Sequence, residues 1–349
     1  MNVFLIYFNF YSMISLKFFH TLGIDLYSRG IFFAKTIGII SKYWFICRKL
    51  NIPFILLGCG SNVFFLNNYS GLVIINLIKG IFIEEKLDVW LLHVKSGEIW
   101  HDLVKYTMNI GIFGLENLAF IPGSVGSAAV QNIGAYGLEF KDICEYVEIT
   151  NLNNLKVYRF KVKDCLFGYR SSIFMYGLKR KYIVTAVGIR LNKKWCSITN
   201  YINFNIKFFT PIKIYNVIYN IRKSKIPDPK LIGNVGSFFK NPIIHLKLFK
   251  KILFKYKNIP YYKMLNGTIK LSGGWLIDKC GLKGYSIGGA SINTKQSLVI
   301  LNINNATSDD IICLARKIRI DVNNKFNVCL IPEVRFIGKY GEINPLSII

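Results

Sequence analysis

The sequence predicts an α+β fold divided into three domains, and three observations support this prediction. At 349 residues the chain exceeds one typical domain. Hydrophobic residues make up 52% of it, which is enough apolar material for two or three small cores. Short apolar runs separated by glycine-rich turns fill most of the chain before Pro227, whereas helical patterns dominate after it.

The first domain is predicted over residues 21–66, after a ragged N-terminus over residues 1–20. The apolar run Phe54-Ile-Leu-Leu57 has the pattern of a short buried strand and leads into a glycine turn, which is typical of an α/β unit. The tail over residues 328–349 is short, so we expect it to pack back against this domain and complete it.

The second and third domains are predicted over residues 67–226 and 227–327. The second is strand-rich, with strands at Leu72-Val-Ile-Ile75 and Tyr182-Ile-Val-Thr-Ala186. The third carries helices and strands in alternation. Its helices are expected at 243–257 and 308–322, with strands near 298–302 and, just beyond it, near 327–331.

The apolar N-terminus is not predicted to span a membrane. Polar residues interrupt its first nineteen residues, so it lacks the ~20 mostly apolar residues that a spanning helix needs. It also lacks the early positive charge and the cleavage site of a secretory signal. Either Met1 or Met13 remains open as the start of the protein, and a cytoplasmic location follows.

The net charge of +26 raises nucleic acid as a possible partner, because clustered Lys and Arg neutralise phosphates. The longest basic stretch, Lys240 to Lys257, is interleaved with Leu, Ile and Phe, which is the pattern of an amphipathic surface helix. The excess of Lys, Ile and Asn is also typical of AT-rich coding sequence. We therefore predict no nucleic-acid partner and no membrane partner.

The eight cysteines and four histidines do not predict a metal site. No two cysteines form a C-x-x-C pair, and no histidine cluster is present. A chain of this length without a secretory signal is expected to hold its cysteines as reduced core residues.

The turn Gly58-Cys-Gly-Ser-Asn62 has the chemistry of an anion site. It lacks the third glycine of G-x-G-x-x-G, so it is not a Rossmann fingerprint. Gly58 and Gly60 allow positive φ and a close approach of backbone N–H groups to an anion, while Ser61 and Asn62 add side-chain donors. By itself the turn fits a plain tight turn about equally well.

A second glycine-rich loop, over residues 121–137, favours a large bound ligand. Gly123, Gly126 and Ser127 can offer donors to a diphosphate, and Asn132 and Tyr136 can reach a neighbouring ring or sugar. A glycine-rich corner between domains remains the alternative. The residues of this loop predicted to bind a cofactor are Pro122, Gly123, Gly126, Ser127, Asn132, Tyr136 and Gly137.

Together the two loops resemble the non-Rossmann FAD-binding fold of the vanillyl-alcohol-oxidase (PCMH) type. The string Gly114-Leu-Glu-Asn-Leu-Ala-Phe-Ile-Pro-Gly123 is more specific and resembles the longer, type I form of the UDP-N-acetylenolpyruvoylglucosamine reductase family. The resemblance implies a three-domain flavoprotein with a smaller α/β substrate-binding domain. It also implies non-covalent FAD, since neither loop contains a histidine, and NADPH as co-substrate in the same cavity.

Three further strings match the family: Phe167-Gly-Tyr-Arg170, the stretch from Gly233 to Pro242, and Pro332-Glu-Val-Arg-Phe336. The resemblance implies that Ser237 is the proton donor and that Arg170 and Glu333 flank a substrate carboxylate. A guanidinium suits the enolate charge that hydride addition creates. An ionised Glu333 would repel that enolate, so we expect it to be protonated or to pair with a cation or a water.

The implied reaction is the reduction, through FAD, of UDP-N-acetylglucosamine enolpyruvate to UDP-N-acetylmuramate in peptidoglycan precursor synthesis. By resemblance, Lys225 and Tyr201 contact the diphosphate of a UDP-sugar, and Asn241 is a further contact. Lys225 fits equally well as the basic end of a helix before a proline stop. A monomer is expected.

Two other functions stay open for this chain. One is a different FAD-dependent oxidoreductase of the same fold that acts on a small alcohol. The other is a decayed protein that binds a nucleotide without turnover, although the intact Arg170, Ser237 and Glu333 argue against decay. His20, where the family usually has Asn, is a departure that could weaken the flavin site or stability.

Overall fold

The computed structural model describes residues 13–176, 181–199, 209–264 and 266–349. Tyr201, predicted to contact a diphosphate, lies outside the described residues. The described chain forms three units, each built on its own sheet or sheets, and the C-terminal tail returns to the first unit.

The first unit is a sheet of order β1-β2-β5-β3 in which β2 and β3 run parallel to β5. Helix α1 connects β2 to β3; Thr36 caps its first turn and Trp44 and Cys47 lie on its buried face. The elements are β1 (Ile14–Ser15), β2 (Tyr27–Ala34), α1 (Ile37–Lys49), β3 (Phe54–Leu57), β4 (Val63–Phe65) and β5 (Tyr69–Asn76). Because β5 is central to this sheet, the first unit extends to Asn76 instead of ending at residue 66.

The C-terminal tail pairs with a strand of the first unit. Strand β20 (Arg335–Gly338) pairs in parallel with β4 and antiparallel with β21 (Gly341–Ile343), and a 3-10 turn follows at Pro345–Ser347. The strand expected near 327–331 is wrong. That segment follows the left-handed residue Asn327, which ends the preceding helix, and the tail's strand begins only at Arg335.

The second unit is an antiparallel sheet of order β11-β10-β12-β7-β6. Its inner face packs on helices α2, α3 and α6 through a core that includes Trp100, Ala128, Ile189 and Ile214. Its elements are β6 (Ile81–Glu85), β7 (Val89–Lys95), α2 (Trp100–Asn109), α3 (Val125–Gln131), β8 (Gly134–Ala135), β9 (Leu138–Glu139), α4 (Phe140–Ile143), β10 (Cys144–Asn151), β11 (Val157–Lys161), α5 (Ile173–Tyr176), β12 (Tyr182–Asn192) and α6 (Pro211–Lys225), with 3-10 turns at Glu116–Leu118 and Val162–Cys165.

The third unit holds two small antiparallel sheets, of order β13-β19-β18-β17 and β14-β16-β15, packed on helices. Its elements are β13 (Gly233–Ser237), β14 (Ile243–Ile244), α7 (Leu246–Lys255), β15 (Tyr261–Lys263), β16 (Ile269–Leu271), α8 (Gly273–Lys279), β17 (Ser286–Ile287), β18 (Ala290–Ile292), β19 (Val299–Asn302) and α9 (Ser308–Phe326). Its core is continuous with that of the first unit, since Leu22 and Phe64 belong to the same cluster as Ile311.

The predicted basic surface helix is confirmed as α7, shorter than the expected 243–257. It buries Phe249 and Ile252 and leaves its lysines exposed. The apolar side chains of α7 recur three residues apart and therefore lie on one face, and the lysines lie between them.

Residues 13–20 are ordered, contrary to the expectation of a ragged end through residue 20. Strand β1 pairs antiparallel with β2, Leu16 is fully buried, and His20 is 3% exposed. The cysteines are free, but Cys59, Cys196, Cys313 and Cys329 are exposed instead of lying in the core. Over the described ranges, no helix is both long and apolar enough to cross a bilayer, and no three metal-binding side chains cluster.

Candidate active site

The two glycine loops predicted from the sequence lie against each other. A Cβ atom at Gly58 would overlap the side chain of Ser124, and one at Gly123 would lie 3.2 Å from Ser61 Oγ and 3.1 Å from Ser127 Oγ. A Cβ atom at Gly58 would force Ser124 to move, and one at Gly123 would be tighter than ordinary van der Waals contact. Glycine therefore lets the turn of the first unit approach the start of α3 in the second unit.

The loops line a cleft of about 940 Å³ between the first and second units. Gly58, Gly60, Ser61, Asn62, Gly126 and Ser127 all contribute to its wall. Apolar side chains of the second unit, among them Ile149, Phe174 and Val184, line the facing side. This volume is at the upper end of the range for ligand pockets and suits a large, partly apolar ligand.

The backbone of the first loop fits an anionic group. In the described part of the chain, the N–H groups of residues 59–62 donate to no protein acceptor. Free N–H groups beside positive-φ glycine form a concavity that binds phosphate oxygens. The side chain of Arg335 also lines the cleft, where its charge is paired with that of Glu342 (Nε–Oε2 3.0 Å), a second lining residue. The residues present therefore fit the diphosphate of a dinucleotide such as FAD.

The second loop contributes less to anion binding than the sequence indicated. Gly126 N donates to Ser96 O (2.9 Å), and Ser127 Oγ donates to Ser124 O (2.7 Å) within a capping box. The Ser127 hydroxyl thus closes the first turn of α3 and the Gly126 N–H is taken by Ser96, so neither donor is free for a diphosphate. Sequence alone could not show that Ser96, the residue after strand β7, supplies the competing acceptor.

Asn132 also has a different position from the one expected. It is fully buried, takes left-handed φ (43°) at the end of α3, and its amide binds Glu139, Gly168 and Lys141 inside the protein. Its side chain therefore shapes the loop and does not reach a ligand. Tyr136 is half-buried with its carbonyl accepting from Asn117, while Pro122 and Gly137 are exposed.

Arg170 is held by the second loop and by Glu333. Its Nη2 donates to Gly134 O (2.7 Å) and its Nη1 to Asn132 O (3.5 Å). Its Nε lies 2.8 Å from Glu333 Oε1, an ion pair whose N–H is not aligned as a hydrogen bond. Each terminal nitrogen keeps one N–H without a protein acceptor among the described residues, which leaves a fork for a carboxylate.

The backbone of Arg170 has φ of 52°, in the left-handed region that a non-glycine residue rarely adopts. Such a conformation costs on the order of 1–3 kcal/mol and persists only where surrounding contacts enforce it. Here the Gly168–Ser171 bridge and the clamp on the guanidinium enforce it. The strain is consistent with a side chain that is preorganised for binding.

Ser237 and Glu333 are brought together by main-chain pairing. Ser237 ends β13 after Gly236, whose φ is 69°. The residues that follow it pair with the segment carrying Glu333: Glu333 N donates to Phe238 O (2.8 Å) and Lys240 N to Ile331 O (2.9 Å). Three strings far apart in sequence thus meet at one place.

The first loop is tied to the same place. Asn62 Nδ2 donates to Glu333 O (3.2 Å), and Arg335 N donates to Asn62 O (3.1 Å). One N–H of the Asn62 amide is thus used by a contact that anchors Glu333. The cleft and the Arg170–Glu333 pair are therefore parts of one site.

The site carries more positive charge than the sequence indicated. Burial lowers the pKa of Lys240; Glu333 opposes this effect and Arg170 adds to it. Burial likewise lowers the pKa values of Lys270 and Arg222, and in both cases Arg170 contributes in the same direction. Three half-buried cations therefore lie near Arg170. The sequence placed only Lys240 here, three residues after Ser237, and gave no signal for the other two.

The two remaining predicted substrate residues lie on the third unit and at its border. Asn241 Oδ1 accepts from Gly273 N (2.8 Å), and Asn241 also contacts the hydroxyl of Tyr169. Lys225 is the last residue of α6, is exposed, and binds Asn293 Nδ2 through its carbonyl (2.7 Å). Its position as the basic end of a helix before Pro227 matches the simpler alternative, while its ammonium remains at the surface.

Comparisons with known proteins agree with this architecture. A family model described as UDP-N-acetylenolpyruvoylglucosamine reductase, C-terminal domain, matches residues 228–337, and one described as FAD binding domain matches residues 28–159. The UDP-N-acetylenolpyruvoylglucosamine reductase of Buchnera aphidicola subsp. Schizaphis graminum (strain Sg) is 52% identical over 335 residues, covering 95% of this chain and 97% of that protein. The chain belongs to the UDP-N-acetylenolpyruvoylglucosamine reductase family.

Two further relatives extend this result. The Escherichia coli (strain K12) reductase of the same name is 45% identical over 338 residues, covering 96% of this chain and 99% of that one. The crystal structure of UDP-N-acetylenolpyruvylglucosamine reductase from Thermus caldophilus covers 93% of this chain and 98% of its own, with a TM-score of 0.61 at 24% identity. The latter supports the fold alone. The predicted fold class and the predicted FAD cofactor are confirmed.

Proposed function

We propose that this protein catalyses the NADPH-dependent reduction of UDP-N-acetylglucosamine enolpyruvate to UDP-N-acetylmuramate in peptidoglycan precursor synthesis. The observation that best supports this is the meeting of Arg170, Ser237 and Glu333 beside the glycine-lined cleft. Non-covalent FAD, held by the loop of residues 58–62 and by Arg335, supplies the hydride when bound.

Arg170 binds the carboxylate of the enolpyruvyl group through the two N–H groups that the protein leaves free. When hydride is added to the terminal carbon of the enolpyruvyl group, negative charge develops on this carboxylate as an enolate. A preorganised guanidinium stabilises that charge, because its donors are already aimed and need no reorganisation.

Ser237 then donates a proton to the carbon that carries the ether oxygen. Its place at the end of β13, after the register irregularity at Gly236, leaves the residue half-buried in the described structure. A donor within reach of the developing carbanion typically contributes 10²–10⁴-fold to rate, as an order of magnitude.

Glu333 pairs with Arg170, which matches one of the states expected for it. The carboxylate pairs with the guanidinium on its Nε side, while each terminal nitrogen keeps one N–H for the substrate. The pairing also limits the repulsion that an isolated carboxylate would exert on the enolate.

The UDP group extends from this site toward Asn241 and Lys225. The exposed ammonium of Lys225 is free to move onto a diphosphate. NADPH occupies the same cavity in alternation with the UDP-sugar, and the protein acts as a cytoplasmic monomer without a nucleic-acid partner.

The test is to purify the chain, record its visible spectrum for bound flavin, and follow NADPH oxidation with and without UDP-N-acetylglucosamine enolpyruvate. Oxidation that requires the substrate and is abolished in Ser237→Ala supports the proposal. A flavin-containing protein indifferent to this substrate points to an oxidoreductase that acts on a small alcohol, and a colourless protein points to decay.

A further inference from the structure

The proposed site poses a charge problem. A substrate carboxylate bound by Arg170 would lie near the Glu333 carboxylate, and one guanidinium cannot neutralise both. Repulsion between two carboxylates sharing a site raises the energy of the doubly charged state. A second cation close to this pair would remove the problem.

Lys240 is that cation. Its Nζ donates to the carbonyl oxygen of Arg170 (3.4 Å), and its own N–H is bonded to Ile331, two residues before Glu333. The side chain is half-buried and is electrostatically coupled to both Arg170 and Glu333. No salt bridge of Lys240 is formed elsewhere in the described part of the chain, so its charge is available here.

The contact with the Arg170 carbonyl has a structural consequence as well. Arg170 adopts left-handed φ (52°), and a donor on its carbonyl helps to hold that peptide in place. The other two cations near Arg170 are placed differently: Lys270 Nζ lies 5.1 Å from the centre of the Tyr169 ring, and Arg222 Nε donates to Phe120 O (3.1 Å). Neither binds the main chain of Arg170.

We propose that Lys240 is a positioning residue for the reaction: it fixes Arg170 in its left-handed conformation and supplies the second positive charge that lets an ionised Glu333 and a substrate carboxylate share one site. The inference rests on the proposed function. It predicts that Lys240 matters for ligands that carry the carboxylate and matters little for ligands that lack it.

The experiment measures ligand binding to the flavin-containing protein by the change in its visible spectrum. The ligands are UDP-N-acetylmuramate, which has the carboxylate, and UDP-N-acetylglucosamine, which lacks it. The variants are Lys240→Met, Lys240→Arg, and Lys251→Met as a matched control on the exposed face of α7. A Lys240→Met/Glu333→Gln double variant tests the charge argument.

We expect Lys240→Met to weaken UDP-N-acetylmuramate binding by on the order of tenfold, because solvent screens much of the charge of a half-buried lysine. Lys240→Met should change the binding of UDP-N-acetylglucosamine by less than about twofold, because this ligand lacks the carboxylate. Lys251→Met should change the binding of either ligand by less than about twofold, because an exposed charge contributes little. Lys240→Arg should restore part of the affinity. With Gln at position 333, the effect of Lys240→Met should shrink, because one of the two carboxylates is gone.

Equal weakening of both ligands in Lys240→Met would show a general structural role and overturn the inference. Unchanged binding of UDP-N-acetylmuramate would overturn it as well, while leaving the proposed function intact. A wild-type protein that binds neither ligand would instead contradict the proposed function, and the inference with it.

Discussion

Gly60 is the position where the flavin loop is most sensitive to a single methyl group. It has φ of 62°, and a Cβ there would overlap the carbonyl oxygen of Phe19 and lie 2.7 Å from His20 Cα. Both are main-chain atoms of the ordered segment before β2, so they cannot move aside as a side-chain tip would. Gly60→Ala therefore adds a steric clash to the cost of left-handed backbone.

A matched control separates the loss of unfolding free energy in Gly60→Ala into the backbone cost and the cost of the clash. Gly111 has φ of 77° and nothing within 4 Å of its Cβ position, so Gly111→Ala carries only the backbone cost, ~1–2 kcal/mol. The clash at Gly60 should add about 1–3 kcal/mol, the usual range for overpacking. Gly60→Ala should thus lose ~2–5 kcal/mol of unfolding free energy.

The assay is urea unfolding of both variants and the wild type without flavin, followed by measurement of the flavin each retains. Gly60→Ala should be the less stable of the two variants. It should also lose flavin, because the clash displaces the loop of residues 59–62, whose free N–H groups fit the diphosphate of the cofactor. Gly111→Ala should retain flavin. Equal stability losses in the two variants would show that the clash at Gly60 adds no cost. Full flavin retention in Gly60→Ala would show that the clash does not displace the loop.

Three other perturbations follow from the site and its surroundings. Arg170→Lys removes the forked donors and should lower kcat by about 10²–10³-fold with little loss of folding stability, as steady-state kinetics can check. Asn132→Ala removes three internal hydrogen bonds of a fully buried amide and should destabilise the protein by ~2–4 kcal/mol in urea unfolding. Burial lowers the pKa of His20 to about 4 against the opposing hydrogen bond to Ile24, so the folded state binds its proton less readily than the unfolded state. Stability should therefore fall as pH drops from about 6.5 to about 4, by at most ~3 kcal/mol from this residue, and His20→Asn should remove that part of the fall.

Each of these has an outcome that would count against it. An Arg190→Lys variant, in an exposed pair with Glu145, is the control for Arg170→Lys and should leave kcat unchanged. Asn132→Ala with wild-type stability would show that the three bonds contribute nothing net. An unchanged pH profile in His20→Asn would mean that another group, such as His101, whose pKa burial lowers to about 4, carries the effect.

Sequence was sufficient where local pattern and local chemistry coincide. The apolar run at Phe54–Leu57 is a strand, the lysine-rich stretch is an amphipathic helix, and the glycine turns lie at the cleft wall. In each case the spacing of hydrophobic residues or the backbone freedom of glycine decides the structure, and both can be identified from neighbouring residues.

Sequence was insufficient where a distant partner decides the role of a group. The N–H of Gly126 and the side chain of Asn62 look like free donors until Ser96 and Glu333 are seen beside them. Likewise, β5 joins the first sheet because its partners are β2 and β3, which no local pattern reveals. Lys270 was missed for the same reason, since its neighbour Tyr169 is far away in sequence.

The proposed reaction transfers hydride and then a proton to an enolpyruvyl ether. The most direct measurement is to reduce the purified flavoprotein anaerobically with one equivalent of NADPH and mix it with UDP-N-acetylglucosamine enolpyruvate in deuterated water. We expect rapid flavin reoxidation with deuterium at the carbon that bears the ether oxygen of the UDP-N-acetylmuramate formed, and product formation slowed by about 10²–10⁴-fold in Ser237→Ala. Reduced flavin that persists in the wild-type protein would contradict the proposed hydride transfer. A Ser237→Ala variant that forms product at the wild-type rate would contradict the role of Ser237 as proton donor.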